Sequence, residues 1–215
     1  LGIVGKRWTP LQNREAFSIF EPLVDAGEMV IHTAGSLRNG ERIWVLCQLN
    51  QNNSEIVAGD EIAKFVLLSN GHDGKLAVHY GFTPIQSMRD VMNLANQEFE
   101  ATAEQYRYLA SRSINSDDLD KYIKIVLGAN INKSEDELPT RTKNIVATVT
   151  TLFENGKGTD IAGVRGTYWG AYNAVTEYLN YSKGRNENNR MDSLWFGQNG
   201  AMSQKALDTA LELTA

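Results

Sequence analysis

Apolar and polar residues alternate over short runs in the first half of the chain, with the two-residue period of β-strands. The runs 29–34 and 42–49 flank the dipeptide Asn39-Gly40, and Asn-Gly between two such runs is a strong hairpin signal. These runs therefore predict two antiparallel strands joined by a tight turn. Two further runs, 61–69 and 75–82, predict a second hairpin around the glycine-containing turn between them.

Apolar residues take up the spacing of a helix after Pro84. This pattern predicts a helix of about 25 residues that covers one face of the sheet. Shorter helices are predicted at 14–26, 117–127, 143–154, 163–181 and 203–213, with polar linkers at 128–132 and 183–190. The expected fold class is α+β, in which a small antiparallel β-meander is covered by a long helix and followed by a helical C-terminal half.

The length of 215 residues and the 42% hydrophobic content fit one domain, 1–215, with a sheet-and-long-helix part at 1–112 and a helical part at 113–215. No apolar run approaches the roughly 20 residues that a membrane-spanning helix needs. The single cysteine, Cys47, lies within a strand-like apolar run and is expected to be a core residue. A reducing, cytoplasmic location is the expectation.

Catalytic and metal-binding chemistry finds little support in the residue pattern. The pair His72-Asp73 has the residue types of a metal site, but it lies between glycines, and only two other histidines exist in the chain. A turn is therefore favoured over a metal site. The run 155–159 contains Gly-Lys-Gly-Thr without the spacing of a phosphate loop. We expect no catalytic residue, no metal and no cofactor, and the chain is not expected to be an enzyme.

A net charge of −5 argues against phosphate binding by the surface as a whole, so nucleic-acid binding requires a local basic stripe. Basic residues with interleaved tryptophans occur in and beside the predicted strands, although charges that guard a sheet edge would give much the same pattern. The candidate nucleic-acid-binding residues are Lys6, Arg7, Trp8, Arg38, Arg42, Lys64, Lys75 and Arg165. Arg38 and Arg42 are expected to reach solvent beside the turn. If they do not contact DNA, the next candidates are Lys157, Arg165 and the segment 185–190.

The segment 166–178 is dense in aromatic residues at helical spacing, and it includes Trp169 and Tyr172. Small residues between the rings favour tight packing of the helix in a core. The alternative is a platform on which nucleic-acid bases stack. Packing is the preferred interpretation.

Several motifs recur in an order and spacing that resemble the phage/plasmid-like protein family, domain of unknown function 932. The motifs are Leu1-Gly2, Val4-Gly5, Gln12-Asn13, Ala34 to Leu37 with Gly40 and Trp44, His72 to Gly74, Thr83-Pro84, Gly166-Thr167, Trp169, Asn173 to Tyr178 and Phe196-Gly197. The resemblance covers nearly the whole chain. It implies an origin in phages, plasmids and bacteria, and it implies no specific activity.

The expected order of hairpins followed by a long helix is also similar to the core of the RecT/Redβ single-strand annealing proteins. That fold analogy implies ATP-independent annealing of single-stranded DNA by a homo-oligomer. The expected function is therefore a phage- or plasmid-type single-stranded DNA-binding and annealing recombination protein. The alternative is a non-enzymatic phage accessory protein that acts through protein–protein contacts with a host factor.

Overall fold

The computed structural model describes residues 11–50, 53–72, 88–184 and 186–215. Its strands are β1 (Met29–Leu37), β2 (Arg42–Leu49), β3 (Ser54–Val57), β4 (Asp60–Ile62) and β5 (Phe65–Gly71). Its α-helices are α1 (Asn13–Phe17), α2 (Glu21–Asp25), α3 (Met88–Ala110), α4 (Ser116–Leu127), α5 (Thr140–Asn155), α6 (Tyr168–Glu177), α7 (Glu187–Phe196) and α8 (Gln198–Thr214). Short 3₁₀ helices lie at Ser18–Phe20, Arg38–Gly40 and Glu135–Glu137, and a π-helix lies at Tyr178–Ser182. The predicted α+β class is confirmed.

The predicted first hairpin is confirmed. Strands β1 and β2 pair antiparallel, with Leu37 opposite Arg42 next to the turn. Asn39 and Gly40 both adopt positive φ angles in that turn, which asparagine and glycine tolerate better than other residues. Strand β5 pairs antiparallel with the other side of β2, so the sheet order is β1-β2-β5.

The predicted second hairpin is only partly described. Its first strand is β5, which extends to Gly71, but the predicted partner strand 75–82 lies outside the described residues. A separate two-stranded sheet, β3-β4, lies between β2 and β5 in the chain and turns at Gly59, where φ is +87°.

The chain forms two compact units. Unit 1 contains 1–54 and 62–101, and unit 2 contains 55–61 and 102–215. The core of unit 1 lies where the sheet meets α2 and the 3₁₀ helix before it, and Phe99 of α3 packs against this core. Its buried members are Phe20, Leu23, Met29, Val45, Cys47, Leu49 and Leu68. Cys47 is fully buried, as the sequence predicted, and burial raises the pKa of its thiol.

Three helices of unit 2, α4, α6 and α7, begin at capping residues that the sequence supplies. Asn115, Thr167 and Asn186 each accept a hydrogen bond from a backbone N–H in the first turn of the helix that follows. The predicted linker 183–190 is therefore wrong in its second part, because Asn186 starts α7. Helix α7 has no buried residue, which explains why its sequence has the composition of a loop.

Three aromatic rings stack in the interior of unit 2. The ring of Trp169 lies 4.5 Å from that of Tyr106 and 5.7 Å from that of Tyr172, measured between centroids. Trp169 is only 4% exposed, and its indole N–H donates a 2.7 Å hydrogen bond to Asp60 Oδ2. The predicted packing role of this aromatic segment is confirmed. We refer to Tyr106, Trp169 and Tyr172 as the aromatic stack.

Replacement of Trp169 by alanine should lower the free energy of unfolding by about 3–5 kcal/mol, because it removes a large buried ring. Replacement by phenylalanine should cost less, since it retains a ring in the stack and loses mainly the hydrogen bond to Asp60. Urea titration followed by circular dichroism measures both changes. A Trp169→Ala protein as stable as the wild type would show that the stack does not support the fold.

Candidate nucleic-acid interface

The structure tests only some of the sequence-predicted basic residues. Lys6, Arg7, Trp8 and Lys75 lie outside the described residues. Arg38 lies exposed at the turn between β1 and β2.

Two of the predicted residues, Arg42 and Lys64, are buried inside unit 1. Arg42 is 8% exposed, so the prediction that it reaches solvent is wrong. Lys64 is 6% exposed, and its Nζ lies 2.6 Å from Glu100 Oε1 of α3. Since a buried charge requires a partner, we infer that Arg42 and Lys64 make contacts inside unit 1. They do not form a basic stripe with Arg38 on its surface.

Arg165 lies exposed in the loop between α5 and α6 of unit 2. Arg38 belongs to unit 1. The exposed, described members of the predicted stripe are therefore divided between the two units.

A different cluster surrounds the π-helix at the end of α6. The N–H of Lys183 donates to the carbonyl of Tyr178, five residues earlier, at 2.9 Å. The π-helix buries Leu179 completely and leaves Tyr181 61% exposed. A π-helical turn inserts an extra residue into a helix and is frequent at functional sites.

Lys157 lies over the exposed ring of Tyr181. Its Nζ is 4.1 Å from the ring centroid, within the range of a cation–π contact. A cation on one face of a ring that is 61% exposed leaves much of the rest of the ring open to solvent. The ring is thus oriented by the lysine and accessible to a ligand.

Three more cations lie on or near the segment 178–184, which carries this ring. Arg141 is close enough to Lys183 and Tyr178 to affect the pKa of both. The aliphatic stem of Arg190 passes over Gly184, where a Cβ would lie 2.7 Å from Arg190 Cγ. We refer to Arg141, Lys157, Lys183 and Arg190, together with Tyr181, as the basic patch.

The charges of the basic patch are poorly compensated by carboxylates. Within the described part of the chain, Arg141, Lys157 and Lys183 form no ion pair. The nearby carboxylate of Glu177 accepts a 3.0 Å hydrogen bond from the backbone N–H of Lys157. Partial burial and then the charge of Arg141 lower the pKa of Lys183 below its usual value. The patch therefore gathers four cationic side chains in a chain whose net charge is negative.

Buried contacts hold the patch in place. Asn199 of α8 is 3% exposed, and its amide donates to the carbonyl of Leu179 in the π-helix at 3.5 Å. The Nζ of Lys183 lies 3.6 Å from the Sδ of Met202, also on α8. Helix α5, which carries Arg141, packs against both α6 and the π-helix. The segments that carry the exposed ring and its cations are thus held in position by packed helices.

Only part of this patch was predictable from the sequence. Lys157 and the segment 185–190 were second-choice candidates, and Arg190 belongs to that segment, whereas Arg185 lies outside the described residues. Tyr181 and Lys183 were missed, because a π-helix has no recognisable local motif. The only sequence signal for them is an aromatic residue, Tyr181, two positions before a basic one, Lys183. Lys157 reaches the ring of Tyr181 only in the folded chain.

The predicted turn at 70–74 is described only up to His72, whose Nε2 lies 2.8 Å from Asn13 Oδ1. Asp73 lies outside the described residues. No group of three or more possible metal-ligating side chains occurs within the described ranges. None of the described helices combines the length and apolar character that crossing a membrane requires.

Comparison with known proteins gives one match, to a family of undefined activity. The family model of domain of unknown function DUF932 matches residues 1–88 and 85–195. No curated protein matches the chain, and no solved structure does. Because the matched segments cover most of the 215 residues, the chain belongs to the DUF932 family.

Proposed function

We propose that this protein binds single-stranded DNA through the basic patch and acts as an ATP-independent annealing protein of phage or plasmid type. The observation that carries the proposal is the exposed ring of Tyr181, with Lys157 4.1 Å from its centroid and further cations on or near the segment 178–184. Aromatic rings and cations in one groove are the combination by which proteins bind single strands without sequence preference.

The geometry favours a single strand over a duplex. A base stacks on an aromatic side chain only when its face is free, and in a duplex both faces are occupied by neighbouring bases. Arg141, Lys183 and Arg190 would contact the phosphates on either side of the stacked base. One patch engages few nucleotides, so affinity for a long strand would come from several subunits of a homo-oligomer bound in line.

The link to annealing rests on the fold analogy with the RecT/Redβ proteins, and the phage or plasmid origin rests on the family resemblance. Annealing requires that complementary bases remain available for pairing. A site that holds one base per subunit and otherwise contacts phosphates would meet that requirement.

A second candidate function is that of a non-enzymatic accessory protein that binds a host protein. It is favoured by a surface pocket of about 300 Å³ in unit 1, lined largely by apolar side chains of α1, α2 and the sheet. Absence of single-stranded DNA binding, together with saturable binding of one purified host protein that fails when Phe17 is replaced by aspartate, would favour this function over annealing.

Replacement of Tyr181 by alanine should weaken binding of an oligothymidylate by about 5- to 150-fold, because stacking of one base is worth about 1–3 kcal/mol. Binding of an abasic oligonucleotide of the same length should not change, since that ligand contacts only the cations. Fluorescence anisotropy with both labelled ligands measures the two affinities.

Tyr181→Phe is the matched control, because it keeps the ring and should retain the preference for the oligothymidylate. The exposure of Tyr181 predicts that both variants melt at the wild-type temperature. Equal affinity of the wild type for the two ligands would refute stacking on this ring.

Joint replacement of Arg141 and Arg190 by alanine should reduce the slope of log affinity against log salt by about 1.4, or roughly 0.7 for each lost phosphate contact on a single strand. Titration of the oligothymidylate at several salt concentrations measures the slope. The matched control replaces Lys121 and Lys133, two exposed lysines outside the patch. An equal loss in the control would mean that the contact with DNA is not local to the patch.

A further inference from the structure

Glu177 is the last residue of α6, and its carboxylate lies against the chain that carries Lys157. The Oε2 atom of Glu177 accepts a hydrogen bond from the backbone N–H of Lys157 at 3.0 Å. Among the residues that the structure describes, Glu177 has no ion-pair partner. The carboxylate therefore holds the main chain of Lys157, while the ammonium group of that lysine lies over the ring of Tyr181.

Gly156 allows the carboxylate to come this close. A Cβ on Gly156 would lie 2.6 Å from Glu177 Oε2 and still nearer to the carbonyl oxygen of Leu152. The N–H of Gly156 donates to that carbonyl at 2.7 Å, and the hydroxyl of Thr159 donates to the carbonyl of Gly156 at 2.9 Å. The backbone next to Lys157 is thus held both by the end of α5 and by the end of α6.

The same helix end also determines the position of Tyr181. The π-helix Tyr178–Ser182 follows Glu177 without a break, so Tyr181 is placed through the chain itself. Lys157 is 20 positions away from Glu177 and is placed through the hydrogen bond to its carboxylate. Both partners of the cation–π contact are therefore positioned from one residue of α6.

We propose that Glu177 is a positioning residue of the basic patch, which keeps the ammonium group of Lys157 over one face of the Tyr181 ring and leaves the other face for a single base. This inference rests on the proposed binding of single-stranded DNA. A ring with a cation on one face stacks one unpaired base and does not insert between two. Glu177 acts through Lys157 and does not itself contact the DNA.

Two variants of Glu177 with the same change of charge separate positioning from electrostatics. Glutamine keeps a side-chain oxygen that can accept the N–H of Lys157, whereas alanine does not. Both variants lose a negative charge near the patch, so both should bind the oligothymidylate and the abasic oligonucleotide more tightly. Only Glu177→Ala should lower the preference for the oligothymidylate, by about two- to fivefold, the value of an exposed cation–π contact.

Fluorescence anisotropy with the two labelled ligands measures this preference as a ratio of affinities. The matched control is Glu154→Ala, which removes an exposed carboxylate from α5 and should keep the wild-type ratio. Gly156→Ala, whose Cβ would displace the carboxylate of Glu177, should lower the ratio as Glu177→Ala does. The two changes together should lower it no further, because both release the same lysine.

A second readout follows Lys157 without DNA. Protons above an aromatic ring resonate upfield, so the Cε methylene of Lys157 should be shifted in the full chain labelled with ¹³C at the lysine Cε. The resonance is identified by its loss in Lys157→Arg. The upfield shift should persist in Glu177→Gln and disappear in Glu177→Ala, as it should in Tyr181→Ala, and circular dichroism checks the fold of each variant.

An unchanged shift of the Lys157 resonance in Glu177→Ala would overturn the proposal. So would an equal loss of the ligand preference in Glu177→Gln and Glu177→Ala, since that result would trace the effect to charge alone. A wild-type protein that binds no oligothymidylate would refute the proposed function, and the resonance would still show whether Glu177 holds Lys157 over the ring.

Discussion

The hydrogen bond from the Trp169 indole to Asp60, together with the aromatic stack around Trp169, is the interaction on which unit 2 depends. It joins three segments that are distant in sequence: the first residue of β4, the C-terminal part of α3, and α6. Gly170 lies so close to the carbonyl of Val164 that a Cβ there would be 2.3 Å from that oxygen. Small and large side chains thus fix the position of α6 together.

The fixed position of α6 determines where the basic patch forms. The helix continues directly into the π-helix, whose extra residue brings Tyr181 to the surface while Leu179 remains in the core. Helix α5 packs beside α6, and Lys157, which follows α5, lies over the Tyr181 ring, while Arg141 at the start of α5 lies near Tyr178 and Lys183. The patch is thereby a consequence of core packing.

The limits of sequence inference can be seen at particular residues. Strand β2, the Asn39-Gly40 turn and the long helix α3 were predictable, because period and turn chemistry act locally. The burial of Lys64 was not, since it depends on Glu100, which is 36 positions away in the chain. Charged residues within strands look exposed in a sequence whether or not such a distant partner exists. The exposure of Tyr181 depends on a π-helix that local propensity does not encode.

The most direct test of the account is amide hydrogen exchange of the whole chain with and without a saturating oligothymidylate, because it locates the contact without altering any side chain. Binding at the basic patch predicts slower exchange in the π-helix, Tyr178–Ser182, and in the residues around Lys157 and Arg190. It predicts little change in the exchange of β2, which contains the buried Arg42, or of β5, which directly follows the buried Lys64. Protection confined to the sheet of unit 1, or no protection at any residue, would contradict the assignment of DNA binding to this patch.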